Sequence, residues 1–271
     1  MTEIFEYEFI RNAIFASILA SIACGIVGSF IVVKRLTFIS GGIAHTAYGG
    51  VGLGYLLGIN PLFGAIFFSL IASTGISVMR SKKNQSEDTL IGIMWALGMA
   101  LGIIFISLSP GYAPDLMSYL FGNILAVSLL EIYLMIILNI IIVAVVMINF
   151  KKLQAITFDE EYSRAIGINV DKYYFILYLL IALTVVLLIK VVGIILVIAL
   201  LSIPASISLN FTKSIGRMIT NAIFIGVGLM LLGLFLSYYL NLPSGSVIII
   251  VSSIAYLLIY FYKSIEKRRE K

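Results

Sequence analysis

Apolar stretches of about twenty residues follow one another along this chain, separated only by short charged or Gly- and Pro-containing breaks, and a helix needs about that many apolar residues to cross a bilayer. The runs lie near 12–33, 41–59, 62–79, 89–108, 130–149, 173–189, 191–209, 218–239 and 246–262. None alternates like a barrel strand, and backbone polar groups in lipid must be satisfied within each segment, so each run reads as helix. The expected fold is all-α: one polytopic transmembrane helical bundle of about 8–9 crossings over residues 1–271.

Composition narrows the function classes. The chain is 61% hydrophobic and only 11% charged, where a soluble domain carries about 25% charge. Crossings at that density consume the 271 residues, which leaves no length for an appended ATPase, kinase or nucleic-acid-binding module. The net charge of +5 therefore belongs to loop lysines and arginines, and no nucleic-acid partner is expected. Cys24 is the only cysteine, so no disulfide forms within the chain, and its apolar setting suits a small packing residue. The opening MTEIFEYEFIRN has no basic segment ahead of the first apolar run, so a removable signal peptide is not expected.

Cytoplasmic loops retain Lys and Arg, and the basic residues here fall on alternate breaks. If the first crossing exits inward, all of the 18 Lys and Arg except Arg11 and Lys190 lie on the inner side. The inner set is Lys34, Arg35, Arg80, Lys82, Lys83, Lys151, Lys152, Arg164, Lys172, Lys213, Arg217, Lys263, Lys267, Arg268, Arg269 and Lys271. Glu3, Glu6, Glu8, Asp115 and Glu131 fall on the other side. The expectation is a multi-pass plasma-membrane protein with its N-terminus outside and its C-terminus in the cytoplasm.

Four features stand out against this apolar background. Between Pro110 and Glu131 the sequence is broken by Gly, Pro, Asp and Asn, which suits a short helix or re-entrant piece at the outer face, either a vestibule or a well-packed loop. His45, the only histidine, falls inside the second run. Ionisable residues at such depth face the bundle interior or a wet cavity, and neutral imidazole is a common transition-metal ligand. A metal contact and a packing hydrogen bond both remain open, because one imidazole is short of the three or four ligands of a resident site. The neighbouring glycines, among them Gly41, Gly42, Gly49 and Gly50, leave a bare face that lines a pathway or receives another helix. Pro204 is expected to kink or interrupt the seventh crossing beside Ser202, Ser206 and Ser208. The turn at Pro243 and Gly245 is given no chemistry.

The most polar segment, LQAITFDEEYSRAIGINVDKY, reads as a short inner helix over residues 158–167. Asp159, Glu160 and Glu161 suit the positive N-terminal end and Gly167 a C-terminal cap. Phe158, Tyr162, Ala165 and Ile166 form its apolar face, with Asp159, Glu160, Ser163 and Arg164 polar. Its acids oppose an anionic leaflet, so the helix is expected to dock a protein rather than lipid. Catalysis within the membrane is not expected: one His, one Cys and no paired carboxylates offer neither a zinc hydrolase pattern nor acid–base chemistry, and no phosphate-binding loop is present.

Taken in order, VVKRLTFISGGIAHTAYGG, LFGNILAVS, TFDEEYSRAIGI, VVGIILVIALLSIPA and the closing LPSG resemble the ABC-3 family, the permeases of ABC importers for zinc, manganese or iron. The resemblance runs over nearly the whole chain. It implies a type II importer-like permease that forms a homodimer or pseudo-symmetric pair, engages two cytoplasmic ABC ATPase subunits and receives metal from an extracytoplasmic metal-binding protein. Residues 158–167 would be the coupling helix, and the transported divalent ion would be cargo, with no permanently bound cofactor. His45 matches the pore histidine of the family pattern G-D-A-x-S-H-A-x-x-P-G. Here that stretch runs from Ser40 to Gly50, with Gly41 at the Asp position and Gly49 at the Pro position. A carboxylate four residues before the His is thereby lost from the same helix face; His45 with carbonyls, water, Met94 or Met99 remains. A stand-alone secondary transporter or channel is the alternative, opposed by the missing membrane carboxylates for proton or sodium coupling.

Overall fold

The computed structural model describes residues 7–81, 87–110 and 116–269. Glu3, Glu6, Lys82, Lys83, Asp115 and Lys271, used above for orientation, lie outside those residues. The elements in order are α1 (Glu8–Lys34), α2 (Thr37–Leu56), α3 (Pro61–Ser81), α4 (Glu87–Leu108), α5 (Leu116–Phe121), a 3-10 turn (Ile124–Ala126), α6 (Leu129–Phe158), α7 (Glu160–Ala165), α8 (Val170–Val192), α9 (Val197–Leu209), α10 (Ile215–Leu240) and α11 (Ser244–Arg269). No strand occurs among the described residues.

Each apolar run becomes a helix, but not every helix is a simple span. Seven helices among the described residues are long and apolar enough to cross a membrane. Two of the expected crossings are not among them: α2, whose 20 residues are diluted by glycine, hydroxyls and His45, and α9, which has only 13 residues. Helix α6 overshoots its expected end near 149 and runs for 30 residues to Phe158, carrying the chain directly into α7.

The expected break at Pro204 lies elsewhere. Helix α9 continues across Pro204, whereas the chain leaves helix at Gly193, with φ +79° and ψ 163°, a conformation that side chains disfavour. The freed backbone groups find partners: Ile194 N–H donates to the Tyr119 carbonyl at 2.9 Å, Ile195 N–H to Leu120 at 3.2 Å, and Asn123 N–H to Lys190 at 3.1 Å. Residues 116–127 are thus paired with the helix break, which is how irregular backbone is tolerated at membrane depth. Helix α9 then starts inside the bundle. Its Leu201 carbonyl lies against Gly28, which places Val197 roughly 15 Å from the Lys34 end of α1 at 1.5 Å per residue.

Buried α1 and α8 form the centre. Both are 72% buried within their most apolar windows, and α3, α6, α9 and α10 pack around them. Small residues allow the closest approaches, as in other membrane bundles. Gly50 of α2 and Gly64 of α3 lie against each other's carbonyls, and a Cβ on Gly98 of α4 would fall 2.6 Å from the His45 carbonyl oxygen.

Candidate functional site

Three places gather the residues that the sequence singles out. The first is α7. Asp159 caps it, accepting the Tyr162 N–H at 2.9 Å through Oδ1, while the Ser163 hydroxyl donates to the Asp159 carbonyl at 2.6 Å. Gly167 closes the other end at φ +81°, with its N–H on the Arg164 carbonyl and the Ile168 N–H on the Ser163 carbonyl. Both ends thus use the local devices read from sequence.

The faces divide differently from the amphipathic reading. Ser163 is fully buried, and Glu160 is an anchor. Lys34 at the end of α1 donates to Glu160 Oε1 at 2.6 Å, Arg80 near the end of α3 to Oε2 at 3.0 Å, and the Tyr174 hydroxyl of α8 also donates to Oε1. The Arg80 guanidinium lies 3.1 Å from the centre of the Tyr174 ring, a cation–π stack. Partial burial raises the Glu160 pKa, but the hydrogen bonds from Lys34 and Tyr174 and the charges of Arg80 and Lys34 outweigh it, so the carboxyl sits below its usual range. One carboxylate therefore ties α7 to three helix ends.

With Glu160 and Ser163 turned inward, Phe158, Tyr162 and Ile166 point away from the bundle at 61%, 60% and 54% exposure. Phe158 is the last residue of α6 and Asp159 is extended, so the expected single helix over 158–167 is instead α7 (Glu160–Ala165) with Phe158 and Ile166 flanking it. The three apolar side chains are rimmed by exposed Asp159, Glu161, Arg164, Ala165 and Gly167. Arg164 is held by Asp171 through a two-pronged pair at 2.8 and 3.3 Å.

The second place surrounds His45. The imidazole is 6% exposed and stacks on Trp95 of α4, with ring centres 3.9 Å apart and planes inclined by 16°. Its Nδ1 is buried without a hydrogen-bond partner. Thr46 beside it donates to the carbonyls of Gly42 at 2.7 Å and Met94 at 3.1 Å, fixing α4 against α2. Gly41 and Gly42 pack on Trp95, Ile198 and Ile91, and Gly49 and Gly50 on Phe68, Gly98 and Gly64, so these four glycines receive neighbouring helices of the same chain. Pro204 is buried in α9. Among the described residues no three or more His, Cys, Asp and Glu gather into a metal-holding group.

The third place was not anticipated. Gly122, Gly193 and Gly245 meet at the end of the bundle opposite α7. A Cβ on Gly122 would overlap the Val192–Gly193 backbone, one on Gly193 the Leu120–Gly122 backbone, and one on Gly245 the Phe121 carbonyl oxygen. Ile124 N–H donates to the Ser244 hydroxyl at 3.1 Å, and Lys190 pairs with Glu131 at 3.2 Å over the Tyr119 ring. The glycines of LFGN, VVGI and LPSG were visible in the sequence; their convergence across 123 residues was not. Beside this knot opens a cavity of about 780 Å³ lined partly by Phe9, Asn123, Tyr238 and Ser246.

The sequence matches the ABC 3 transport family over residues 6–263. It is 49% identical over 258 residues to an uncharacterized membrane protein of Synechocystis sp., covering 95% of this chain and 92% of that protein. It is 36% identical over 256 residues to the manganese import system permease protein ScaB of Streptococcus gordonii, covering 94% and 92%. Among solved structures, PsaBC from Streptococcus pneumoniae in complex with Fab matches with a TM-score of 0.86 and 32% identity, over 95% of this chain and 92% of that one.

Proposed function

The chain belongs to the ABC 3 transport family, and on that premise we propose that it is the membrane-spanning permease subunit of an ATP-driven importer for divalent transition metal ions. It passes the ion from an extracytoplasmic metal-binding protein to the cytoplasm. Hydrolysis belongs to a separate ABC ATPase, and two copies of the permease pair in the plasma membrane with the α7 end inside. The distribution of Lys and Arg supports that orientation.

The observation that carries this reading is α7 with its two flanks: exposed Phe158, Tyr162 and Ile166 around a short helix whose Glu160 is bonded to α1, α3 and α8. Such an apolar patch rimmed by polar residues marks a protein contact. A push on it from the ATPase passes through one carboxylate into three helices, and ATP then favours one access state through its differential contact with α7. His45 is the transient contact for the ion. A lone imidazole suits a pathway, where binding must be weak enough for the cargo to leave.

ATP-dependent uptake by the chain reconstituted with its ATPase and binding protein, measured for zinc, manganese and iron, tests this. One ion should accumulate; His45→Ala should abolish that uptake at unchanged membrane abundance. Tyr162→Ala should separate ATP hydrolysis from transport. Uptake by the chain alone, without ATPase, would replace the importer with a secondary transporter or channel.

A further inference from the structure

The indole of Trp95, the chain's only tryptophan, lies against two residues of α2 one turn apart. It stacks on His45, and it also covers Gly41: a Cβ there would lie 2.9 Å from Trp95 Cζ3 and 2.6 Å from Ile198 Cδ1. The isoleucine methyl can turn aside, but the indole ring cannot while it remains stacked on the imidazole. The Thr46 bond to the Met94 carbonyl at 3.1 Å and the close seat of Gly98 against the His45 carbonyl also hold α4 in register. The indole and a side chain at position 41 therefore exclude each other.

Position 41 is one helical turn before His45, where a side chain would share the face of the imidazole. Filling that space with indole leaves the buried, unpartnered His45 Nδ1 without a hard oxygen ligand beside it. Trp95 also lines a groove of about 450 Å³ with Phe38, Asp88, Ile91 and Gly92, and Asp88 stands about two turns before it on α4.

Resting on the importer reading above, we propose that Trp95 determines the specificity of the His45 contact: by occupying the space over Gly41 it makes the contact a nitrogen site, which takes zinc-like borderline ions in preference to manganese. Imidazole suits zinc, whereas carboxylate oxygens suit manganese, and a nitrogen donor favours zinc over manganese in the general affinity order of divalent ions. Trp95 is a positioning residue here; it shapes the ligand set without itself binding the ion.

Equilibrium binding of zinc and of manganese to the purified full-length chain tests the proposal, alongside uptake by the assembled complex. Wild type should bind zinc about tenfold or more tightly than manganese, and zinc should change the fluorescence of the lone tryptophan while equal manganese does not. His45→Ala should remove both zinc effects. Gly41→Asp alone should lower zinc binding, because the new side chain meets the indole. Gly41→Asp with Trp95→Ala should restore a site and shift the zinc-to-manganese ratio toward manganese by about tenfold. The wild-type fluorescence titration needs no variant, so a misfolded double variant leaves the test standing. A zinc-to-manganese ratio that stays unchanged in the folded double variant, or wild-type fluorescence that ignores zinc, overturns the proposal. The importer reading fails separately, if the assembled complex accumulates no metal.

Discussion

The two ends of the bundle are fastened by opposite means. At the α7 end, Glu160 gathers Lys34, Arg80 and Tyr174, long side chains that can lengthen, re-pair or hydrate as helix ends shift. At the other end Gly122, Gly193 and Gly245 bring backbone directly onto backbone, and nothing there can move without opening a gap or a clash. In the importer proposed above, the α7 end would take the push through adjustable charges, and the opposite end, where cargo would enter, is held by backbone packed on backbone.

The hardest blow to that contrast is a methyl group in the glycine knot. Gly193→Ala combines a left-handed backbone position with overlap onto the Leu120–Gly122 backbone, and the two costs together amount to roughly 3 kcal/mol or more. The expected outcome is loss of folded protein from the membrane, read by abundance and by thermal unfolding in detergent. A Gly193→Ala protein as stable as wild type would mean that the knot is no tighter than the charged end.

Glu160→Gln should be milder in stability and stronger in function. The side chain keeps its shape but loses its charge, and the carboxylate is about a third exposed, so the cost is roughly 1–2 kcal/mol. Lys34 and Arg80 would no longer be drawn to α7, and ATP hydrolysis should continue with transport reduced. Transport and hydrolysis falling together, in step with abundance, would make the anchor merely structural. Acid should act in the same way. Because the folded pKa of Glu160 lies below the ordinary glutamate value of 4.5, its stabilisation is fully present above that value and is lost as pH falls through the folded pKa. The wild-type melting temperature should therefore drop more steeply below pH 4.5 than that of Glu160→Gln, and parallel pH curves would remove Glu160 from the account.

How far these ends could be read from sequence follows from what each depends on. The helices are written in runs of apolar residues, and the caps of α7 in Asp159 and Gly167, because both rest on neighbours within a turn or two. The role of Glu160 depends on Lys34 and Arg80, which are 126 and 80 residues away, so a local amphipathic reading placed it with the exposed polar residues of the helix. Pro204 drew attention because it lacks an N–H, yet a buried helix absorbs it. The break falls at Gly193, where the Tyr119 and Leu120 carbonyls take up the freed N–H groups. His45 was conspicuous as the only histidine, but its partner Trp95 was not, since the register of α4 against α2 is set by contacts between helices.

The smallest effect is expected on the outer side of the same short helix. Arg164 and Asp171 form a bidentate pair, but their side chains are 51% and 50% exposed, and exposed pairs contribute about 0–1 kcal/mol in water and less in salt. Arg164→Ala should therefore leave the melting temperature within about a degree or two of wild type. Its value lies in the contrast with Glu160, which sits on the same six-residue helix and differs chiefly in facing inward to α1, α3 and α8. If Arg164→Ala lowers ATP-coupled transport without changing stability, the outward face of α7 belongs to the ATPase and the inward face to the bundle. Destabilisation as large as that of Glu160→Gln would show that α7 is held from both sides, and the adjustable end would then be as rigid as the glycine end.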